Sequence, residues 1–265
     1  MRSALIRLDA EDTWPAPLRS LLNSNLPMLG AYERARAEWD ARMVEDVMAR
    51  LMPSPDPYRV YRETVLAECE SIMRNVDLVG YHCTRLRERE IEDVRHNGLR
   101  SSSPELLQKR VDDAVSDGLL SAIIAEQLHA NHQAGHEYRR GMIWFVFDET
   151  SLQCESGVER LFRSWGGEAL YNSHEKDPET GPALRSIGEP CIVEAAIPTS
   201  GINVPVEERV MGAYLERRGI STMYGAGMEG YVRTNVPVDR ILRVIRRDDP
   251  AFEHLTGCSR WRSPL

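Results

Sequence analysis

Along this chain, apolar positions spaced three and four apart give way to short unbroken apolar runs, and the change separates predicted helices from predicted strands. Tyr32, Ala35, Trp39, Met43 and Val47, with Val44, Met48 and Leu51, form one helical stripe, which Pro53-Ser-Pro-Asp-Pro57 breaks. A second stripe runs through Tyr61, Val65, Cys69 and Ile72, with Asp56 as N-cap and Pro57 at the first helical position. Both predict helices that pack on the rest of the chain or on a partner. Leu78-Val-Gly-Tyr81 then reads as a buried strand that runs straight into the polar His82-Cys-Thr-Arg85. The charged run Glu88 to Asn97 predicts a helix with Ile91 and Val94 on its inner face, stopped at Gly98, with Leu99 placed for a Schellman-type contact.

Beyond the polar step Ser101-Ser-Ser103, the start signal Ser103-Pro104-Glu105 opens a helix faced by Leu107, Val111 and Ala114 and ended by Asp117-Gly118. A further helix runs from about Leu120 through Ile124 and Leu128. Gly141-Met-Ile-Trp-Phe-Val-Phe147 is too short for a buried helix and predicts a central strand. Asn172 to Glu189 is rich in turn residues, and Cys191 to Ile197 is another strand. Its Glu194 either faces solvent or is buried and paired. A glycine-rich stretch from Thr222 leads into a short strand that starts at Glu229, and Val236 to Ile245 reads as the last strand. The pattern gives an α+β chain, with a helical region at 1–75 and the chemistry within 76–265.

The 265 residues are enough for a real core. A formal charge of −8 argues against an unspecific nucleic-acid binder, which needs clustered cations. The 33 cations are nearly all arginine, with Lys109 and Lys176 the lysines. Five cysteines without CxxC spacing suit reduced intracellular thiols. No apolar run reaches the roughly eighteen residues a membrane span needs, and Asp9, Glu11 and Asp12 do not suit a signal peptide. The expectation is a soluble, cytoplasmic protein with no membrane partner.

His129, His132 and His136 invite a zinc assignment by their spacing, but Gly135 ends the helix before His136 and no fourth ligand lies nearby, so no metal is expected. His82, taken alone, is a hydrogen-bonded core histidine.

The longer string alters that assignment. Gly80-Tyr81-His82-Cys83-Thr84, a short helix, then Asn97-Gly98-Leu99-Arg100, resembles the first motif of the diphtheria-toxin-like ADP-ribosyltransferases, Gly-Tyr-His-Gly-Thr followed by a helix and Gly-Leu-Arg. Cys83 replaces the family's second glycine, whose backbone meets the nicotinamide amide. Gly141 to Phe147 resembles the second motif, with Trp144 in place of the tyrosine that stacks on nicotinamide. Trp165 or Tyr171, flanking Gly166-Gly167-Glu168, stands for a second family tyrosine. Glu229-Gly-Tyr-Val232 resembles the third motif, which carries the catalytic glutamate; Gly227 occupies the position where arginine-modifying members have a second glutamate.

The resemblance implies a split mixed β-sandwich with an N-terminal helical extension, NAD as co-substrate, and transfer of ADP-ribose to a macromolecular acceptor, protein or nucleic acid. It implies Glu229 as catalytic and His82, Cys83, Thr84, Trp144 and Tyr171 as NAD-binding, with Glu194 and Glu168 the next carboxylates to consider. A toxin, effector or defence role is what the family suggests. An NAD glycohydrolase and an inactive NAD-binding or partner-binding module are the alternatives.

Overall fold

A computed structural model describes residues 4–52, 57–220 and 227–265. In chain order the elements are β1 (Ala4–Ile6), α1 (Ala16–Glu45), α2 (Arg59–Met73), β2 (Val76–Leu86), α3 (Glu88–Asn97), α4 (Pro104–Ser116), α5 (Ala122–Ala130), β3 (Ile143–Val146), α6 (Glu149–Gln153) and α7 (Glu155–Arg163). They continue with α8 (Glu168–His174), α9 (Thr180–Ser186), β4 (Glu189–Pro198), α10 (Val206–Glu216), β5 (Glu229–Val232), β6 (Ile241–Arg246) and α11 (Pro250–Thr256). The protein is mixed α+β, and it divides into two compact units, within 1–78, 198–200 and 204–226, and within 79–197, 201–203 and 227–265. Among the described residues no helix is long and apolar enough to cross a membrane.

The first unit is helical. α1 starts well before its predicted stripe and buries Leu18, Leu22 and Leu29, whereas Val44, Val47, Met48 and Leu51 of the stripe are exposed. α2 buries Val65, Cys69 and Met73 and starts at Arg59 with Tyr58 as N-cap. The expected cap, Asp56, lies outside the described residues. α10 joins this unit: Tyr214 donates its hydroxyl hydrogen to Asn23 Oδ1 at 2.5 Å, and Arg218 forms an ion pair with Glu11 at 3.0 Å.

The sheet runs β5-β3-β2-β4-β6, open and antiparallel along this path, and β1 adds a parallel pairing to the start of β2. In the second unit one apolar cluster takes Val79, Tyr81 and Cys83 of β2, Val146 of β3 and Ile192 of β4 against Phe162, Phe252 and Trp261. A second packs Leu107, Val111 and Ala114 of α4 with Leu128, Trp165 and Leu170. Several local signals act as expected. Ser103 caps α4 by accepting from Leu106 N–H at 3.1 Å, and α3 spans Glu88–Asn97. Leu99 differs from expectation: its N–H donates to the Val236 carbonyl at 2.8 Å, a bridge in place of a Schellman contact. Within the loop-rich 172–189 stretch, Asp177 accepts from Thr180 N–H at 2.8 Å where the short α9 begins.

Candidate active site

Glycine at position 80 is a packing requirement. A Cβ there would lie 2.9 Å from Phe147, 3.0 Å from Phe145 and 3.1 Å from Ile197, so β2 can cross the aromatic pair only without a side chain. One residue on, Tyr81 pairs with Val146, which is the junction between β2 and β3 among the described residues. Past that pair a side chain takes over from the ladder. His82 Nδ1–H donates to the Trp144 carbonyl at 2.9 Å. A carbonyl only accepts, so the hydrogen sits on Nδ1 and the neutral ring presents Nε2 as an acceptor. Burial lowers the His82 pKa from its ordinary value; the bond to Trp144 opposes this and the nearby charge of Arg110 adds to it.

β3 and β5 pair in register, with Val146 opposite Glu229 and Trp144 opposite Tyr231. Opposed residues share a face of the sheet, so Glu229, Tyr231, Trp144 and Val146 project to one side. The Trp144 indole is 43% exposed and meets the Tyr231 ring edge-on, with centroids 5.0 Å apart. Glu229 is exposed at the head of β5. Its strand is pinned there: Met228 N–H donates to Asp148 Oδ2 at 2.6 Å, and Phe147 N–H to the Met228 carbonyl at 2.9 Å. Asp148 also caps α6, accepting from Ser151 N–H at 2.7 Å. Gly227 enters with φ +71°, where a Cβ would fall 1.7 Å from Ser151 Oγ.

These elements border a cavity of about 420 Å³, within the size range of small-molecule sites. His82, Cys83, Thr84, Trp144, Tyr171 and Glu229 all line it. The Cys83 side chain belongs to the apolar cluster with Tyr81 and Val146; burial, then the charge of Glu229, pushes its thiol pKa far up. Cys83 is therefore packing rather than nucleophile. Tyr171 is buried, donates its hydroxyl hydrogen to Glu168 Oε1 at 3.2 Å and carries the Arg160 guanidinium 4.1 Å over its ring. Burial, then Glu168, pushes its phenol pKa up. Of the two aromatic candidates after β3, Tyr171 reaches the cavity and Trp165 does not; the Trp165 indole donates to Glu90 Oε2 at 2.9 Å.

The other carboxylates separate cleanly. Glu194 is 2% exposed and bonded to Arg243 Nε at 2.6 Å, the buried and paired alternative, and does not line the cavity. Glu168 does line it, 3.2 Å from Arg139. Among the three spaced histidines, His129 bonds Asp112 at 2.9 Å, His132 Nδ1 accepts from Ala134 N–H at 3.3 Å and the His136 ring packs on Tyr138. Among the described residues no group of three His, Cys, Asp or Glu is placed to hold a metal ion.

Sequence patterning does not single out Tyr231, Arg110 or Arg139, all of which belong to this neighbourhood. Tyr231 had a signal, since it lies two positions beyond Glu229 and shares its strand face. The arginines had none in so arginine-rich a chain. The chain matches no family model, no curated protein and no solved structure.

Proposed function

We propose that this protein is an ADP-ribosyltransferase that takes ADP-ribose from NAD, releases nicotinamide and delivers the sugar to a macromolecular acceptor, and that its sheet is the split mixed β-sandwich of that superfamily with an N-terminal helical extension. The observation that carries the proposal is convergence. His82 with Cys83 and Thr84, Trp144, Tyr171 and Glu229 come from four elements, in the chain order that the three motifs require, and border one cavity where β2 and β3 part. The donor and acceptor set fits a nicotinamide dinucleotide. A neutral imidazole offers Nε2 to a ribose hydroxyl, an exposed indole offers a flat face to a cationic pyridinium, and guanidiniums of Arg110 and Arg139 offer positive charge for phosphates.

NAD supplies a C–N glycosidic bond whose cleavage has oxocarbenium character. The chain then has three tasks. His82 orients the ribose, Trp144 covers the nicotinamide with Tyr231 bracing its edge, and the ionised Glu229 places negative charge where positive charge develops. Cys83 keeps its side chain in the core, which leaves the main chain of β2 to meet the carboxamide. Five unbridged cysteines suit a reducing, cytoplasmic site of action.

The test is incubation of the purified protein with NAD labelled on the adenylate phosphate, with and without cell lysate, following free nicotinamide and macromolecule-bound label. Label that enters protein or nucleic acid and is lost in Glu229→Gln supports transfer and names the acceptor class. Nicotinamide release without bound label favours hydrolysis, and intact NAD despite binding overturns the enzyme.

A further inference from the structure

Three guanidiniums line the cavity, those of Arg100, Arg110 and Arg139, against two carboxylates, Glu168 and Glu229. Arg100 is ion-paired with Asp93. The other two are held firmly and left with unused donors. Arg110 Nε donates to Glu90 Oε1 at 2.6 Å, and its guanidinium lies 4.8 Å over the Trp165 ring. Glu90 is itself engaged elsewhere, accepting from Trp165 Nε1–H at 2.9 Å and Arg87 N–H at 2.9 Å. Arg139 Nη2 sits 3.2 Å from Glu168 Oε2, while Tyr171 occupies the other Glu168 oxygen. Arg110 Nη2 and Arg139 Nε are buried with no hydrogen-bond partner among the described residues.

A guanidinium carries five N–H donors in a planar fork, and one carboxylate engages two at most. Arg110 Nη2 and Arg139 Nε are inaccessible from the cavity, so the N–H groups that a ligand there can reach are the remaining ones of each fork, and two cations lining one cavity suit an anion. Ser103, the N-cap of α4, and Leu106 of its first turn line the same cavity, so the positive end of that helix adds to the field. Arg110 is also close enough to His82 for its charge to bear on the imidazole, which puts it beside the group assigned to the ribose.

We propose that Arg110 and Arg139 form a seat for the diphosphate of a dinucleotide, with Glu90 holding the first fork from outside the cavity and Glu168 holding the second at its wall. The choice of a diphosphate over another anion rests on the NAD reading above; the two guanidiniums and their spare donors do not. The seat makes binding strength depend on the diphosphate, while the nicotinamide end depends on Trp144.

The experiment is calorimetric titration of the full chain with inorganic pyrophosphate, ADP-ribose and nicotinamide, on wild type, Arg110→Gln and Arg139→Gln, each checked by circular dichroism. Pyrophosphate and ADP-ribose are expected to bind wild type and to weaken on the order of tenfold or more in each variant, with nicotinamide unchanged. Arg139→Gln keeps the test decisive where loss of the Glu90 partner unfolds Arg110→Gln. No pyrophosphate binding to wild type, or equal ADP-ribose affinity in Arg139→Gln, overturns the seat. Pyrophosphate binding that is lost in the variants, in a protein that never releases nicotinamide from NAD, supports the seat and removes the transferase reading. Nicotinamide release with ADP-ribose affinity untouched in both variants does the reverse.

Discussion

His82 donates Nδ1–H to the Trp144 carbonyl at 2.9 Å, so the strand of the histidine and the strand of the indole are tied by a side chain where the ladder stops. The pKa of this imidazole lies below 6.5 in the native state, first through burial. The unfolded chain binds that proton more readily, so the contribution to stability is complete above pH 6.5 and is lost as pH falls through the native value. Urea midpoints at pH 7.5 and 5.5 are expected to fall further for wild type than for His82→Gln. Equal falls would mean that His82 takes up its proton alike in both states.

Glu229→Gln keeps shape and removes charge at an exposed position at the head of β5. The expected loss in nicotinamide release is on the order of 10² to 10³. Stability should stay within about 0.5 kcal/mol of wild type. Single-turnover release and a thermal melt on the same preparation check both, and a full-rate variant moves the search to Glu168, the other carboxylate on the cavity.

Trp144→Tyr retains a flat face and Trp144→Ala does not. The expected consequence is a KM for NAD about threefold to thirtyfold higher in the alanine variant, from a cation–π contact of roughly 0.5–2 kcal/mol. The tyrosine variant should lie close to wild type. Steady-state kinetics with both variants decide it, and alanine kinetics equal to wild type would free the indole from any role in binding.

Gly227→Glu would place a carboxylate two residues before Glu229, as in arginine-modifying enzymes. At φ +71°, with a Cβ position 1.7 Å from Ser151 Oγ, the substitution strains the anchor of β5. A loss of about 1–3 kcal/mol is expected in chemical denaturation. No transfer to an arginine acceptor such as agmatine should appear; its appearance would show that the anchor has room to shift.

Glu90 responds to acid. Burial alone would raise its carboxyl, but Arg110 and the bonds from Arg87 and Trp165 bring it down to about 2 from 4.5. Its contribution is therefore present above pH 4.5 and lost as pH falls toward 2, an amount of roughly 3 kcal/mol. Stability measured between pH 6 and 3 is expected to fall less steeply in Glu90→Gln than in wild type, and parallel curves would place the acid transition elsewhere.

Much of the local structure was legible because its causes are local. The caps at Ser103 and Gly98 bound their helices within a few residues of themselves, and Gly227, at φ +71°, precedes the strand that Glu229 heads. What depended on distant partners was not legible. The bond between Tyr214 and Asn23 that places α10 with the first helices spans 191 residues, and no periodicity encodes it. Trp165 and Tyr171 look alike beside their glycines; a bond to Glu90, 75 residues earlier, takes one of them out of the cavity. The stripe around Trp39 to Leu51 misled because helical spacing marks a face without saying whether anything covers it.

Tyr81, Val146 and Glu229 stand in one rank across three strands, although the first and last are separated by more than half of the 265-residue chain. A contact of that span is among the last to close as the protein assembles, because its loop entropy is recovered only when the intervening elements are in place. A nascent chain on the ribosome holds its histidine and tryptophan long before it has a glutamate to set beside them. On the proposed function, consumption of NAD would thus wait until most of the chain has been made.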